Sequence, residues 1–125
     1  MSKVSIINKT DGKLTRLPFL MLKERVLGKK YDLSIAFVGD SESRRLNYAL
    51  RKKNKPANIL SFPLSKSSGE ILIAQNCARR EAPRYGMREP EFLAHLFIHG
   101  LLHLKGLPHG ARMESEEKRL RALVF

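Results

Sequence analysis

Apolar and polar positions switch between two periods along the chain, and the switches outline nine elements. Lys3 to Asn8, with Val4, Ile6 and Ile7, reads as a short strand ended by the Asp11-Gly12 turn pair. Leu14, Leu17, Met21, Leu22 and Val26 recur at helical spacing and predict a helix up to Gly28. Leu33, Ile35 and Phe37 alternate strictly, so Tyr31 to Val38 is a second strand, closed by Gly39-Asp40. Ser41 is expected to cap a helix from Glu42 to Leu50, with Leu46, Ala49 and Leu50 on its inward face. Asn58 to Phe62 and Glu70 to Ala74 predict two more strands joined by a serine-rich loop containing Gly69. Helices follow from Asn76 to Tyr85 and from Glu89-Pro90 to Leu104, and a tail helix begins at Met113 with Leu120, Leu123 and Val124 inward. The order β-α-β-α-β-β-α-α-α predicts an α/β (α+β) fold: one domain over residues 1–125, a mixed four-stranded sheet packed with about five helices.

The chain has 125 residues, 42% of them apolar, and should bury roughly 65% of its unfolded surface, enough for a core without disulfides. Cys77 is the one cysteine, which implies a reducing compartment and excludes a cysteine-rich zinc ribbon. The N-terminus lacks the apolar stretch of a secretory signal, and Phe92 to Leu104 is too short to span a bilayer and carries three histidines. A soluble, cytoplasmic protein is expected, with no membrane partner. Charge changes the picture further. Lys and Arg number 24 against 12 Asp and Glu, a formal net charge of +12, which points to a polyanionic partner and favours nucleic acid.

All four histidines, His95, His99, His103 and His109, fall within one short segment. Three recur every fourth residue along the predicted helix and share a face. The pattern His99-x-x-x-His103-x-x-Gly106-x-x-His109 is the more specific one. Two imidazoles one turn apart converge on one ion, Gly106 ends the helix through a left-handed turn, and Pro108 forbids its continuation. His109 can then swing back over the metal. The spacing equals that of the metzincin peptidases, yet their glutamate base after the first histidine is here Gly100. Three imidazoles suit zinc, and iron, nickel or copper would also accept nitrogen donors. His95 reads better as a partly buried imidazole outside the trio.

Leu46-Asn47, Arg51-x-Lys53, Asn58-Ile59-Leu60-Ser61-Phe62-Pro63, Gly69-Glu70-Ile71-x-Ile73 and the block from His95 to His109 together resemble the YbeY family. Its members are bacterial zinc-dependent endoribonucleases of ribosomal RNA maturation and ribosome quality control. The matched blocks run from about residue 46 to 109. The resemblance implies His99, His103 and His109 as ligands of one zinc ion per chain and Arg51 as the catalytic arginine. It also implies a single-stranded RNA substrate, with the 3′ end of 16S rRNA and the small ribosomal subunit as its setting. Two positions depart from the family pattern: its aromatic-aspartate pair before the third histidine is Leu107-Pro108, and Ala57 stands where threonine is common.

No acidic residue occurs between Ser43 and Gly69, while Arg44, Arg45, Arg51, Lys52, Lys53, Lys55 and Lys66 are positive. Such a field suits a phosphate backbone, and Arg44, Arg45, Lys52, Lys53 and Lys55 are the candidate RNA contacts. Tyr48, Phe62 and Tyr85 read as core or half-core positions rather than stacking platforms. Ser61 lacks the glycines of a nucleophile elbow, Cys77 has no histidine nearby in sequence, and no glycine-rich phosphate loop is present. His95 and Glu70 are the candidates for proton transfer, and Glu114, Glu116 and Glu117 read as a solvated helix face. The mechanism expected is hydrolysis by a metal-activated water, with the Arg51 guanidinium opposing charge on the phosphorane. Two alternatives stand beside it: a non-catalytic RNA-binding ribosome-assembly factor with a structural zinc, and a zinc peptidase or amide hydrolase.

Overall fold

Along Asp32–Phe37, alternate side chains leave a strand in opposite directions, and that alternation decides the layers of the molecule. The structure, a computed structural model, describes residues 3–125, apart from the Lys3 side chain. In chain order the elements are β1 (Lys3–Asn8), α1 (Phe19–Leu27), β2 (Asp32–Phe37), α2 (Asp40–Arg51), β3 (Ile59–Ser65) and β4 (Ser68–Ile73). There follow α3 (Gln75–Glu81), one turn of 3-10 helix (Ala82–Tyr85), α4 (Glu89–Lys105) and α5 (Ala111–Arg121). The strands form a mixed sheet in the order β1-β2-β4-β3, parallel between β1, β2 and β4 and antiparallel between β4 and β3.

One sheet face presents Leu33, Ile35, Phe37, Ile71 and Ile73 to α1 and α4, forming the main core with Leu22, Phe92, Phe97 and Leu101. The other face presents Ala36, Val38, Leu60 and Leu72 to Leu46 of α2, with Ala57 and Phe62 alongside. Helix α4 is covered by the sheet and by α1, α3 and α5, which is why its buried residues run almost all round it. It packs tightly against the sheet at Gly100. A Cβ there would stand 3.3 Å from Ile59 Cδ1 and 3.3 Å from Ile71 Cδ1.

Several boundaries differ from the sequence reading. Helix α1 starts at Phe19 rather than Leu14, because Pro18 lacks an N–H and biases Leu17 away from helical geometry. Residues 13–15 are held instead by Gln75, whose Oε1 accepts from the Thr15 N–H at 2.8 Å and whose Nε2 donates to Lys13 O at 2.9 Å. The N-cap of α2 is Gly39, not Ser41, and its buried side is Ser43 and Asn47 with Leu46 partly covered; Ala49 and Leu50 face solvent. The expected serine-rich loop shrinks to Lys66-Ser67, since β3 and β4 continue as a hairpin with a register shift between Pro63 and Ser65. Pro63 is tolerated there because β3 is an edge strand. The helix expected from Asn76 to Tyr85 tightens to 3-10 geometry at Ala82-Pro83. Helix α5 begins at Ala111 and buries Leu120, whereas Leu123 is exposed and Val124 only partly covered. Tyr48 and Tyr85, expected in or near the core, are both exposed; Phe62 is partly buried as expected.

Candidate functional site

His99 and His103 lie one turn apart near the end of α4, so their rings leave the same side of the helix. The helix stops at Gly106, with φ 96°, where the Leu107 N–H reaches back to Leu102 O at 3.1 Å and the Gly106 N–H to His103 O at 2.9 Å. This is the left-handed termination that glycine permits. Leu107 packs against the main core, and Gly110, at φ 148°, opens α5 three residues later. The short Leu107-Pro108-His109 connection is thereby folded back, and the His109 ring stands 5.0 Å from that of His99 and 4.5 Å from that of His103. One nitrogen from each of the three rings lies within 4.8 Å of the others.

The donor set fits a divalent metal. His99 Nδ1 lies 2.5 Å from Glu117 Oε2, and the Glu117 carboxylate is buried. A carboxylate partner places the imidazole proton on Nδ1 and leaves the Nε2 lone pair for an ion. Burial, with help from the neighbouring His99, His109 and Arg51 and against Glu117, holds His103 below the ordinary histidine pKa. Its neutral, ligating form therefore prevails at neutral pH. Among the described residues no fourth His, Cys, Asp or Glu joins the cluster, the ligand count of catalytic rather than structural zinc sites.

The three histidines open into a cleft of about 540 Å³ shared with Arg51, Asn58, Ser61, His95 and Tyr85. Arg51 is the last residue of α2, whose termination rests on Lys52 in a left-handed conformation at φ 58°. The following loop is tied back to the helix. Asn47 Nδ2 donates to Lys55 O at 2.9 Å, while Ser43 Oγ donates to Ala57 O at 2.6 Å and accepts from the Ala57 N–H at 2.9 Å. Both anchoring side chains are buried, so the loop that follows Arg51 is tied along α2 on its way to β3. His95 sits one turn before His99 in the same cleft. Its Nδ1 is buried without a partner, and burial depresses its pKa.

Of the basic run, Arg51 alone lines the cleft; Arg44, Arg45, Lys52, Lys53 and Lys55 are exposed outside it. Glu70 is not brought in. Its strand neighbours Gly69 and Ile71 face α4, so by alternation Glu70 points to the α2 side of the sheet, away from the histidines. Gly100, where a metzincin glutamate would stand, faces the sheet and has no room for one. The residue that sequence reading missed is Glu117. In sequence it is one of three glutamates on an otherwise solvated helix, and the only available signal was its fourth-residue spacing after the buried Met113. Cys77 is buried, and burial and Glu81 raise its thiol pKa, which leaves it a poor nucleophile. No helix among the described residues is long and apolar enough to cross a membrane.

Comparison with known proteins shows the family to which the chain belongs. The chain is 34% identical to a protein named endoribonuclease YbeY from Halorhodospira halophila, over 78% of this chain and 73% of that one. It is 35% identical to the protein of that name from Wolbachia pipientis, covering 98% of this chain and 89% of the relative. For the relative from Aquifex aeolicus the figures are 39%, 74% and 65%. The solution structure of TM1509 from Thermotoga maritima matches with a TM-score of 0.66 over 95% of this chain and 87% of that one at 24% identity, which establishes the shared fold. Residues 3–124 match the family described as endoribonuclease YbeY. A chain with this fold, this histidine turn and these relatives belongs to the YbeY family.

Proposed function

We propose that this chain is a metal-dependent endoribonuclease that hydrolyses phosphodiester bonds of single-stranded RNA, using one zinc ion per chain. We place it in the cytoplasm, in maturation of the 16S rRNA 3′ end and in ribosome quality control on the small ribosomal subunit, as one catalytic domain over residues 1–125. The observation that carries the reading is one cleft holding both a three-histidine cluster and an arginine, in a chain of the YbeY family with a surplus of positive charge.

His99, His103 and His109 would hold the metal, and the Glu117 carboxylate fixes the tautomer and ring orientation of His99. When bound, the ion supplies Lewis acidity to the phosphate and to a water. Arg51 offers paired N–H donors to non-bridging phosphate oxygens, and these bonds strengthen as negative charge gathers there during attack on phosphorus. A lysine could not reproduce that paired geometry. Arg44, Arg45, Lys52, Lys53 and Lys55 attract the RNA backbone from outside the cleft. The peptidase alternative is opposed by the packing at Gly100, which leaves no place for the general base of that chemistry.

The test is metal analysis of untagged protein together with cleavage assays on single- and double-stranded RNA. We expect about one zinc per chain and cleavage of the single strand. His103→Ala should lose both, and His95→Ala should keep the metal. Full metal occupancy in His103→Ala would overturn the ligand set. A metal-loaded protein that leaves single-stranded RNA intact would overturn the activity.

A further inference from the structure

The wall of the cleft next to α4 ends in an aromatic ladder that metal binding does not require. The Tyr85 ring stacks on the Phe92 ring at 4.9 Å and 18° between planes. Phe92 in turn lies 6.4 Å from His95 at 20°, and His95 lies 6.5 Å from the metal-cluster residue His99. Phe92 is buried, whereas Tyr85 is 63% exposed, so one face of the Tyr85 ring is covered and the rest faces solvent. The backbone beneath is a hydrogen-bonded turn. Tyr85 closes the 3-10 turn, Gly86 follows in a left-handed conformation at φ 66°, and the Met87 N–H donates to Ala82 O at 3.2 Å. Arg84 and Arg88 are both exposed on the same segment, which carries no acidic residue between Glu81 and Glu89.

We propose that Tyr85 is a nucleobase-stacking subsite at the far end of the cleft from the histidine cluster, which receives a base of the single-stranded RNA a short way along the strand from the scissile phosphate. The inference rests on the reading of this cleft as an RNA-cleaving site and adds to it how the substrate's bases are held. A flat ring backed by a buried one presents a platform already ordered before binding, so little conformational entropy is lost when a base lands on it. Every base offers a π-face, and stacking of this kind tolerates sequence. Arg84 and Arg88 would meet the phosphates on either side of the stacked nucleotide. Sites that hold the phosphate through metal and arginine alone would treat a strand with and without bases alike; this one discriminates. It also restricts the substrate to unpaired segments, since a base inside a duplex cannot lie flat on Tyr85.

The chain contains no tryptophan, so Tyr85→Trp introduces a single reporter at this point. Mixed with excess single-stranded oligoribonucleotide in the metal-loaded protein and read before turnover, its emission should be quenched. In single-turnover cleavage, Tyr85→Ala should raise the half-saturating concentration about tenfold with the saturated rate preserved, and Tyr85→Phe should restore it. The salt dependence of Tyr85→Ala should match the wild type, because stacking releases no counterions. Stepping an abasic site along the oligonucleotide on each side of the cleavage site should find a position that erases the difference between wild type and Tyr85→Ala. Unchanged tryptophan emission on mixing with RNA that the protein cleaves would overturn the proposal. So would a Tyr85→Ala protein with wild-type half-saturation. A wild-type protein that neither binds nor cleaves RNA would instead overturn the reading of the cleft on which the proposal stands.

Discussion

His99 Nδ1 and Glu117 Oε2 stand 2.5 Å apart across two different helices, and this bond joins a histidine of the cluster on α4 to α5. Because Glu117 is buried, its charge is not dispersed by water, and it acts on the imidazole that faces it. Glu117→Ala should therefore weaken metal binding about 10- to 100-fold, measured with added zinc in competition with a chromophoric chelator. Glu117→Gln keeps an acceptor without the charge and should fall between. Wild-type affinity in Glu117→Ala would show that the carboxylate does not prepare His99.

His95 gives the metal-free protein a predicted acid sensitivity. Burial depresses its folded pKa, with Arg121 and His99 acting in the same direction and Glu117 opposing. A depressed pKa means that the unfolded chain takes up the proton first as pH falls. The stability tied to neutral His95 is thus complete above its ordinary value of 6.5 and is lost as pH falls through the folded value. Thermal melts of the metal-free protein between pH 8 and 5 should show Tm falling below about 6.5. His95→Gln should flatten that fall, and an unchanged slope in the variant would assign it to other groups.

Arg51 and the lysines that follow it should separate by kinetics. If Arg51 bonds most strongly to the charge-gathering phosphate, Arg51→Ala lowers the saturated single-turnover rate by about 100-fold while RNA binding weakens slightly. Lys52, Lys53 and Lys55 lie outside the cleft, so removing any one that meets RNA should lower the salt slope of binding by ~0.7 and preserve the saturated rate. A wild-type saturated rate in Arg51→Ala would reduce that residue to another phosphate contact.

Gly100 should tolerate almost nothing larger. Gly100→Ala puts a methyl 3.3 Å from the Cδ1 atoms of Ile59 and Ile71, each of which must give by a few tenths of an ångström. Gly100→Glu forces both volume and a carboxylate against the sheet, at a cost of about 3 kcal/mol or more. Its Tm should drop by about 10 °C or more, with no peptidase activity gained. A stable, peptide-cleaving Gly100→Glu protein would refute the account of how α4 packs.

The parts of this protein that its sequence determined are those set by local rules. Alternation in Leu33, Ile35 and Phe37 assigned a strand and its buried face, and the four-residue spacing of His99 and His103 placed two imidazoles together. Gly106 and Pro108 marked where the chain must turn so that His109 returns, because glycine's left-handed freedom and proline's missing N–H hold in any context. What tertiary structure alone decided concerns which element covers which. Glu117 and its neighbours Glu114 and Glu116 look alike in sequence, yet α5 docks so that only Glu117 is buried against a histidine 18 residues away. Ser43 and Asn47 became buried loop anchors while Leu50, more apolar, was left in solvent. Glu70 had the right chemistry on the wrong face of the sheet, and Tyr85 remained exposed because Phe92 already filled the space beneath it. Periodicity reports which way a side chain leaves its own backbone; what it meets there depends on contacts between distant segments, and those are settled only when the helices pack.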